Sequence, residues 1–218
     1  MDHGNLHTSC DKFLFLAQHQ LAVDRGKDAD CVPLYISGSR GSLFKFRLSP
    51  HGYTLVAKGV ESMDAERLRH ESKMYDHVTD LQGHVVPVCL GIIALIKPYY
   101  YDSGVFDHFM FLGYGGRPVV KAVVELNKSA RNEVVAALGR LHQYGVLHRD
   151  AEPRNVLYDE RTRKYMVVDL MLAEMRGRRS LKPISVNSQD RKRKWSSEKH
   201  EMDPFTVEMH NLRASLSR

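Results

Sequence analysis

Cysteine is scarce in this sequence: Cys10, Cys31 and Cys89 are an odd number with no close pair. That pattern excludes a disulfide framework, shows no zinc-site spacing and suits a reducing compartment. No apolar run reaches the roughly 20 residues a bilayer span needs. The longest, Val85 to Ile96, is broken by Pro87 and Gly91. Met1-Asp2-His3 puts no basic stretch ahead of an apolar one, so no secretory leader is expected. Internal repeats and long low-complexity tracts are missing too. The expectation is a cytoplasmic protein without membrane contacts.

Apolar residues, by contrast, are plentiful. With 218 residues, 43% hydrophobic and 27% charged, the chain can bury a real core in one domain with appendages. The net charge of +6 would suit a nucleic-acid binder, but its distribution argues otherwise. Residues 1–175 hold 21 basic and 21 acidic side chains, so the whole excess lies in residues 176–218. The body is electrically balanced, and nucleic acid is not an expected partner. Arg191-Lys192-Arg193-Lys194 fits a solvated tail, or a signal for nuclear import.

Three regions follow: an N-terminal extension (1–34), a folded domain (35–175) and a basic, loosely ordered tail (176–218). In the extension, Phe13 to Ala17 suits a short strand or helix. Leu34 to Ile36, Leu43 to Leu48 and Tyr53 to Ala57 read as a hairpin meander. Ser62 to Val78 reads as a helix with Ser62 as its cap. Val85-Val86, Leu90 to Ile96 and Phe109 to Leu112 read as strands. Ser129 is expected to cap a helix to Gln143, with Val134, Leu138 and Leu141 as its apolar stripe. Short strands are expected at Val156 to Tyr158 and Tyr165 to Val168, and a short helix near Val207 to Leu216.

Taken singly, the polar motifs are ordinary. Gly38 and Gly41 suit a hairpin turn, Lys58 a surface lysine and Glu71 a solvated helix face. Asp150 and Asp169 suit loop and strand-end positions. Their order changes the reading. Glycine loop, strand lysine, helix glutamate, His148-x-Asp150-x-x-x-x-Asn155 and strand-end Asp169 follow one another as phosphoryl transfer from a nucleotide requires. Leu43 takes the valine position of the glycine loop, Lys58 comes 15 residues later, and Glu71 13 after that.

On these motifs, residues 35 to about 172 resemble a protein-kinase-like domain. Gly145 to Leu157 resembles the catalytic loop of small kinase-like proteins common in fungi, and His70 to Tyr75 resembles their glutamate-bearing helix. The resemblance implies an α+β, two-lobe fold, with an antiparallel-sheet N-lobe carrying one key helix and a truncated, mostly helical C-lobe. It implies ATP and Mg2+ as cofactors. Gly38 and Gly41 would cover the phosphates, and Lys58, held by Glu71, would grip them. Asn155 and Asp169 would hold the metal, and Asp150 would take the acceptor's proton. Leu43 and Val56 would roof the adenine, and the backbone of Phe111 to Gly115, Gly113 included, would read the base.

The chain departs from that pattern in four places. The first loop glycine falls on Ile36, and the Asp-Phe-Gly triplet is Asp169-Leu170-Met171. Glu152 stands where serine/threonine kinases carry a lysine. Only 49 residues follow Asp169, with no Ala-Pro-Glu triplet. An active kinase acting on a protein or small hydroxyl compound is expected first. An inactive nucleotide-binding or scaffold protein is the alternative.

Overall fold

The structure, a computed structural model, describes residues 9–26, 28–38, 41–49, 51–120, 127–177 and 203–217. The loop tip Ser39-Arg40 and the basic run Arg191 to Lys194 lie outside them. The fold is α+β. Helix α1 (Cys10–Val23) is followed by strands β1 (Cys31–Gly38), β2 (Gly41–Leu48) and β3 (Tyr53–Val60), then helix α2 (Ala65–His77). Strands β4 (Cys89–Tyr101) and β5 (Gly104–Leu112) complete an antiparallel sheet ordered β1-β2-β3-β5-β4. Beyond it come β6 (Arg117–Pro118), α3 (Lys128–Gln143), β7 (Val146–Leu147), β8 (Val156–Asp159), β9 (Lys164–Val167), β10 (Glu174–Met175) and α4 (Pro204–Ser215). Among the described residues, no helix is long and apolar enough to cross a membrane.

Strand register divides the sheet into two chemically different faces. Lys58 lies opposite Leu43 and Met110, while Ala57 lies opposite Phe44 and Phe111. Since side chains alternate along a strand, Leu43, Val56, Lys58, Met110 and Leu112 share one face. Phe44, Phe46, Ala57, Phe109 and Phe111 share the other.

Helix α1 covers the aromatic face. Phe13, Ala17 and Leu21 recur every four residues and are buried there, with the Phe13 ring edge-on to Phe111 at 5.3 Å. Gln18, Gln20 and Arg25 donate hydrogen bonds to the carbonyls of Ala94, Arg47 and Lys97. Part of the supposed extension is therefore a wall of the sheet, and β1 already begins at Cys31. Its helical period spans Phe13 to Leu21, wider than the short apolar run that stands out in the sequence.

The helix starts also differ from expectation. Ser62 Oγ donates to Asp107 at 2.7 Å, and Ser62–Asp64 form a separate 3-10 turn before α2. Asn127, not Ser129, caps α3, accepting from the Ala130 amide at 2.9 Å. Asn127→Ala is expected to lower stability by about 1 kcal/mol in a urea titration. Val85 and Val86 are not a strand; both amides bond to the Leu81 carbonyl in a turn.

Residues 203–217 form the short helix expected near Val207 to Leu216, but it is packed on the core and not loose. Leu212 and Leu216 are buried in the same core as Val134, Leu138 and Leu141 of α3. Met209, Leu212 and Leu216 sit at spacings of three and four, an apolar stripe diluted in the basic composition around it.

Candidate active site

Strand β3 directs Lys58 toward α2, whose buried side carries Leu68, Glu71, Met74 and Tyr75. Lys58 Nζ stands 2.7 Å from Glu71 Oε2 and 2.7 Å from Asp169 Oδ1. The Glu71 side chain is 1% exposed and Lys58 12%, whereas Asp169 at 43% opens to solvent. Burial alone would lower the Lys58 ammonium, but the Glu71 and Asp169 carboxylates outweigh it and hold its pKa above the ordinary value. Burial pushes the Glu71 carboxyl up, against the opposing pull of Lys58. The ammonium is thus a fixed positive charge with one buried and one open partner. Lys58→Met would strand Glu71 and is expected to cost about 3–5 kcal/mol in denaturant titration. Replacing Glu71 by Leu in the same chain should recover most of that loss.

Asp169 itself has φ 65° and ψ 63°, a left-handed conformation uncommon for a residue with a side chain. It follows β9 and opens the short turn Leu170–Leu172, with Leu170 wholly buried. The preceding carbonyl, of Val168, is bound 2.9 Å from His148 Nε2. His148 Nδ1 accepts from the Asp150 amide at 3.2 Å, which leaves Nε2 as the donor of the fully buried ring. One ring thereby ties the Asp150 loop to the Asp169 strand.

Within that loop, Asn155 Nδ2 donates to Asp150 Oδ2 and to the Asp150 carbonyl, each at 2.9 Å. Arg154 donates to Asp150 Oδ1 at 2.5 Å. Since the amide nitrogen of Asn155 is committed to Asp150, its oxygen is the atom left for a ligand. Asp169 and Asn155 thus present oxygen donors, which suit a hard cation such as magnesium. Among the described residues, no group of three or more His, Cys, Asp or Glu is placed to hold a metal alone.

Of the remaining expected residues, Leu43 and Val56 share the Lys58 face, and Gly38 pairs with Gly41 across the β1–β2 hairpin. A Cβ on Gly41 would fall 2.5 Å from the Gly59 carbonyl oxygen, so close strand approach alone demands glycine there. Phe111 is expected to act through its backbone, and its side chain lies on the other face of the sheet. Strand alternation sends its ring into the aromatic core with Phe13 and Phe46, away from Lys58. Gly113 donates its amide to the Val88 carbonyl at 2.8 Å just past β5.

Glu208, on α4, has no counterpart among the residues expected from the sequence. Its carboxylate accepts from the amides of His148 at 3.0 Å and Arg149 at 2.5 Å, and from His142 Nε2 at 2.7 Å. Burial works to raise its pKa, but these donors prevail and hold it below the ordinary carboxylate value. One of five acids in a basic tail gives no local signal, because its partners lie about sixty residues away.

The arrangement can offer the Lys58 ammonium to an anion, the Asp169 carboxylate to a cation and the Asp150 carboxylate to a proton. No protein-family model matches the chain. It is 28% identical over 189 residues to the meiotic driver SPOK2 of Podospora anserina, covering 86% of this chain but 24% of that protein. Over 38 residues it is 53% identical to the cell division cycle 7-related protein kinase of Homo sapiens, 17% of this chain and 7% of the kinase. A non-specific serine/threonine protein kinase of Drosophila melanogaster is 32% identical over 82 residues, 38% of this chain and 11% of that enzyme. The chain therefore spans a quarter or less of the length of these relatives.

Proposed function

We propose that this chain is an ATP- and magnesium-dependent phosphotransferase of protein-kinase type, moving the γ-phosphate to a hydroxyl, first of all a serine or threonine of a protein. The observation that carries this reading is Lys58 held 2.7 Å from both Glu71 and Asp169. In this reading Lys58 binds the phosphates and Glu71 keeps its ammonium aimed at them. Asp169 and the Asn155 oxygen hold the magnesium, which when bound offsets phosphate charge. Leu43 and Val56 cover the base, and the backbone around Gly113 reads its edge. Asp150, oriented by Asn155 and Arg154, accepts the hydroxyl proton as the new O–P bond forms and the bond to the departing ADP breaks. The work is positioning and charge stabilisation, which phosphoryl transfer mostly needs.

One observation favours a non-catalytic nucleotide-binding protein instead: the triplet at the metal position is Asp169-Leu170-Met171, without its glycine. Purified protein with labelled ATP and magnesium, offered protein acceptors and small hydroxyl compounds in parallel, separates the two. Label on an acceptor supports the transferase. Binding of magnesium-ATP with no transfer, even to the chain itself, supports the second reading. Failure to bind nucleotide rejects both.

A further inference from the structure

Among the described residues, one carboxylate beside the proposed base has neither a cap hydrogen bond nor an ion pair. Glu152 precedes the short turn Pro153–Asn155, where an acidic side chain would ordinarily accept from a turn amide, yet it makes no such bond. Its backbone is fixed from both directions: its amide donates to the Asp150 carbonyl, and its carbonyl accepts from the Asn155 amide, each at 2.9 Å. Pro153 follows and fixes the next φ. The half-buried side chain therefore stays close to Asp150, and among the described residues it has no ion pair.

The neighbouring charged groups each have a partner, two arginines sharing one glutamate. Asp150 pairs with Arg154, Arg149 and Arg176 with Glu174, and Glu208 with His142. Glu152 and Asp150 line an open groove of about 1610 Å³ that α4 borders with Phe205 and Glu208. A groove this open, unlike the enclosed clefts that hold small ligands, suits an extended chain. Arg149, Arg176 and Arg213 also line the groove, but the first two are engaged by Glu174 and Arg213 lies five residues past Glu208, about 7.5 Å further along α4.

We infer that Glu152 selects the acceptor: the groove takes a peptide whose hydroxyl residue is flanked by arginine or lysine. A half-buried carboxylate without a counter-ion repels an acidic peptide and offers a guanidinium two parallel hydrogen bonds. The inference rests on the phosphotransferase reading and names its substrate class.

The test uses the full chain and two peptides of equal length, one with arginines and one with glutamates around a single serine. Transfer from magnesium-ATP gives kcat/KM, and fluorescence anisotropy with a non-hydrolysable ATP analogue gives binding. The wild-type protein should favour the arginine peptide at least about tenfold in both measurements. Glu152→Gln should remove that preference by losing the arginine peptide, and Glu152→Lys should invert it. Equal transfer to both peptides, or a preference that survives Glu152→Gln, overturns the inference and leaves the transferase reading intact. Glu152-dependent binding preference with no transfer upholds the groove's selectivity and rejects the transferase. Neither preference nor transfer rejects both.

Discussion

Asp169→Asn should abolish magnesium-dependent ATP binding and transfer together, whereas Asp150→Asn should remove transfer and leave ATP binding within a few-fold. The difference follows from where each carboxylate points. Asp169 shares Lys58 with Glu71 at 2.7 Å and is open enough to meet a metal. Its amide replacement keeps the shape but not the charge that a hard cation requires. Asp150 is tied to Arg154 and Asn155 within its own loop and makes no contact with Lys58. Loss of a general base typically lowers the rate about 10²- to 10⁴-fold. Titrating ATP with and without magnesium, alongside single-turnover transfer, measures both effects. Equal loss of nucleotide binding in the two variants would contradict the assignment.

Glu208→Gln should lower stability by about 2–3 kcal/mol and reduce kcat while leaving KM for ATP nearly unchanged. The substitution turns one acceptor into an amide nitrogen facing donors from His142, His148 and Arg149. The chemistry of the pair also fixes a pH signature. A carboxyl held below its ordinary 4.5 in the folded protein contributes stability that is complete above the unfolded value. That contribution is lost as pH falls through the lower folded value. The gap between wild type and Glu208→Gln should therefore be full at neutral pH and close in the acid range. A gap of constant size at every pH, measured by denaturant titration, would show that the Glu208 charge does not hold the loop.

Much of the site was legible because its residues sit on locally encoded elements. Lys58 lies on the strand after a hairpin, Glu71 occupies a helix face, and Asp150 and Asn155 lie five apart in one loop. Spacing along the chain is enough to place such groups. The caps were misread because Ser62 and Ser129 are good cap residues that each lie two positions from the actual N-cap, and only the hydrogen bonds decide between them. The ring of Phe111 depends on strand parity, which a one-residue shift in register reverses. Glu208 and the docking of α4 depend on packing between segments distant in sequence, so no window of residues contains both partners.

Ala57 and Lys58 are consecutive residues that look in opposite directions, one into rings and the other toward charge. This makes β3 a partition with no slack: Ala57 is 0% exposed, and Phe44 and Phe111, its partners across the neighbouring strands, are equally enclosed. A close-packed interior transmits a volume change instead of absorbing it. Two methyl groups added behind the partition, as in Ala57→Val, must push the strand or the rings, and a displaced strand carries the Lys58 ammonium with it. The aromatic core thus acts as a spacer that sets how far Lys58 reaches, and its bulk is tuned from a side of the sheet that no nucleotide would touch.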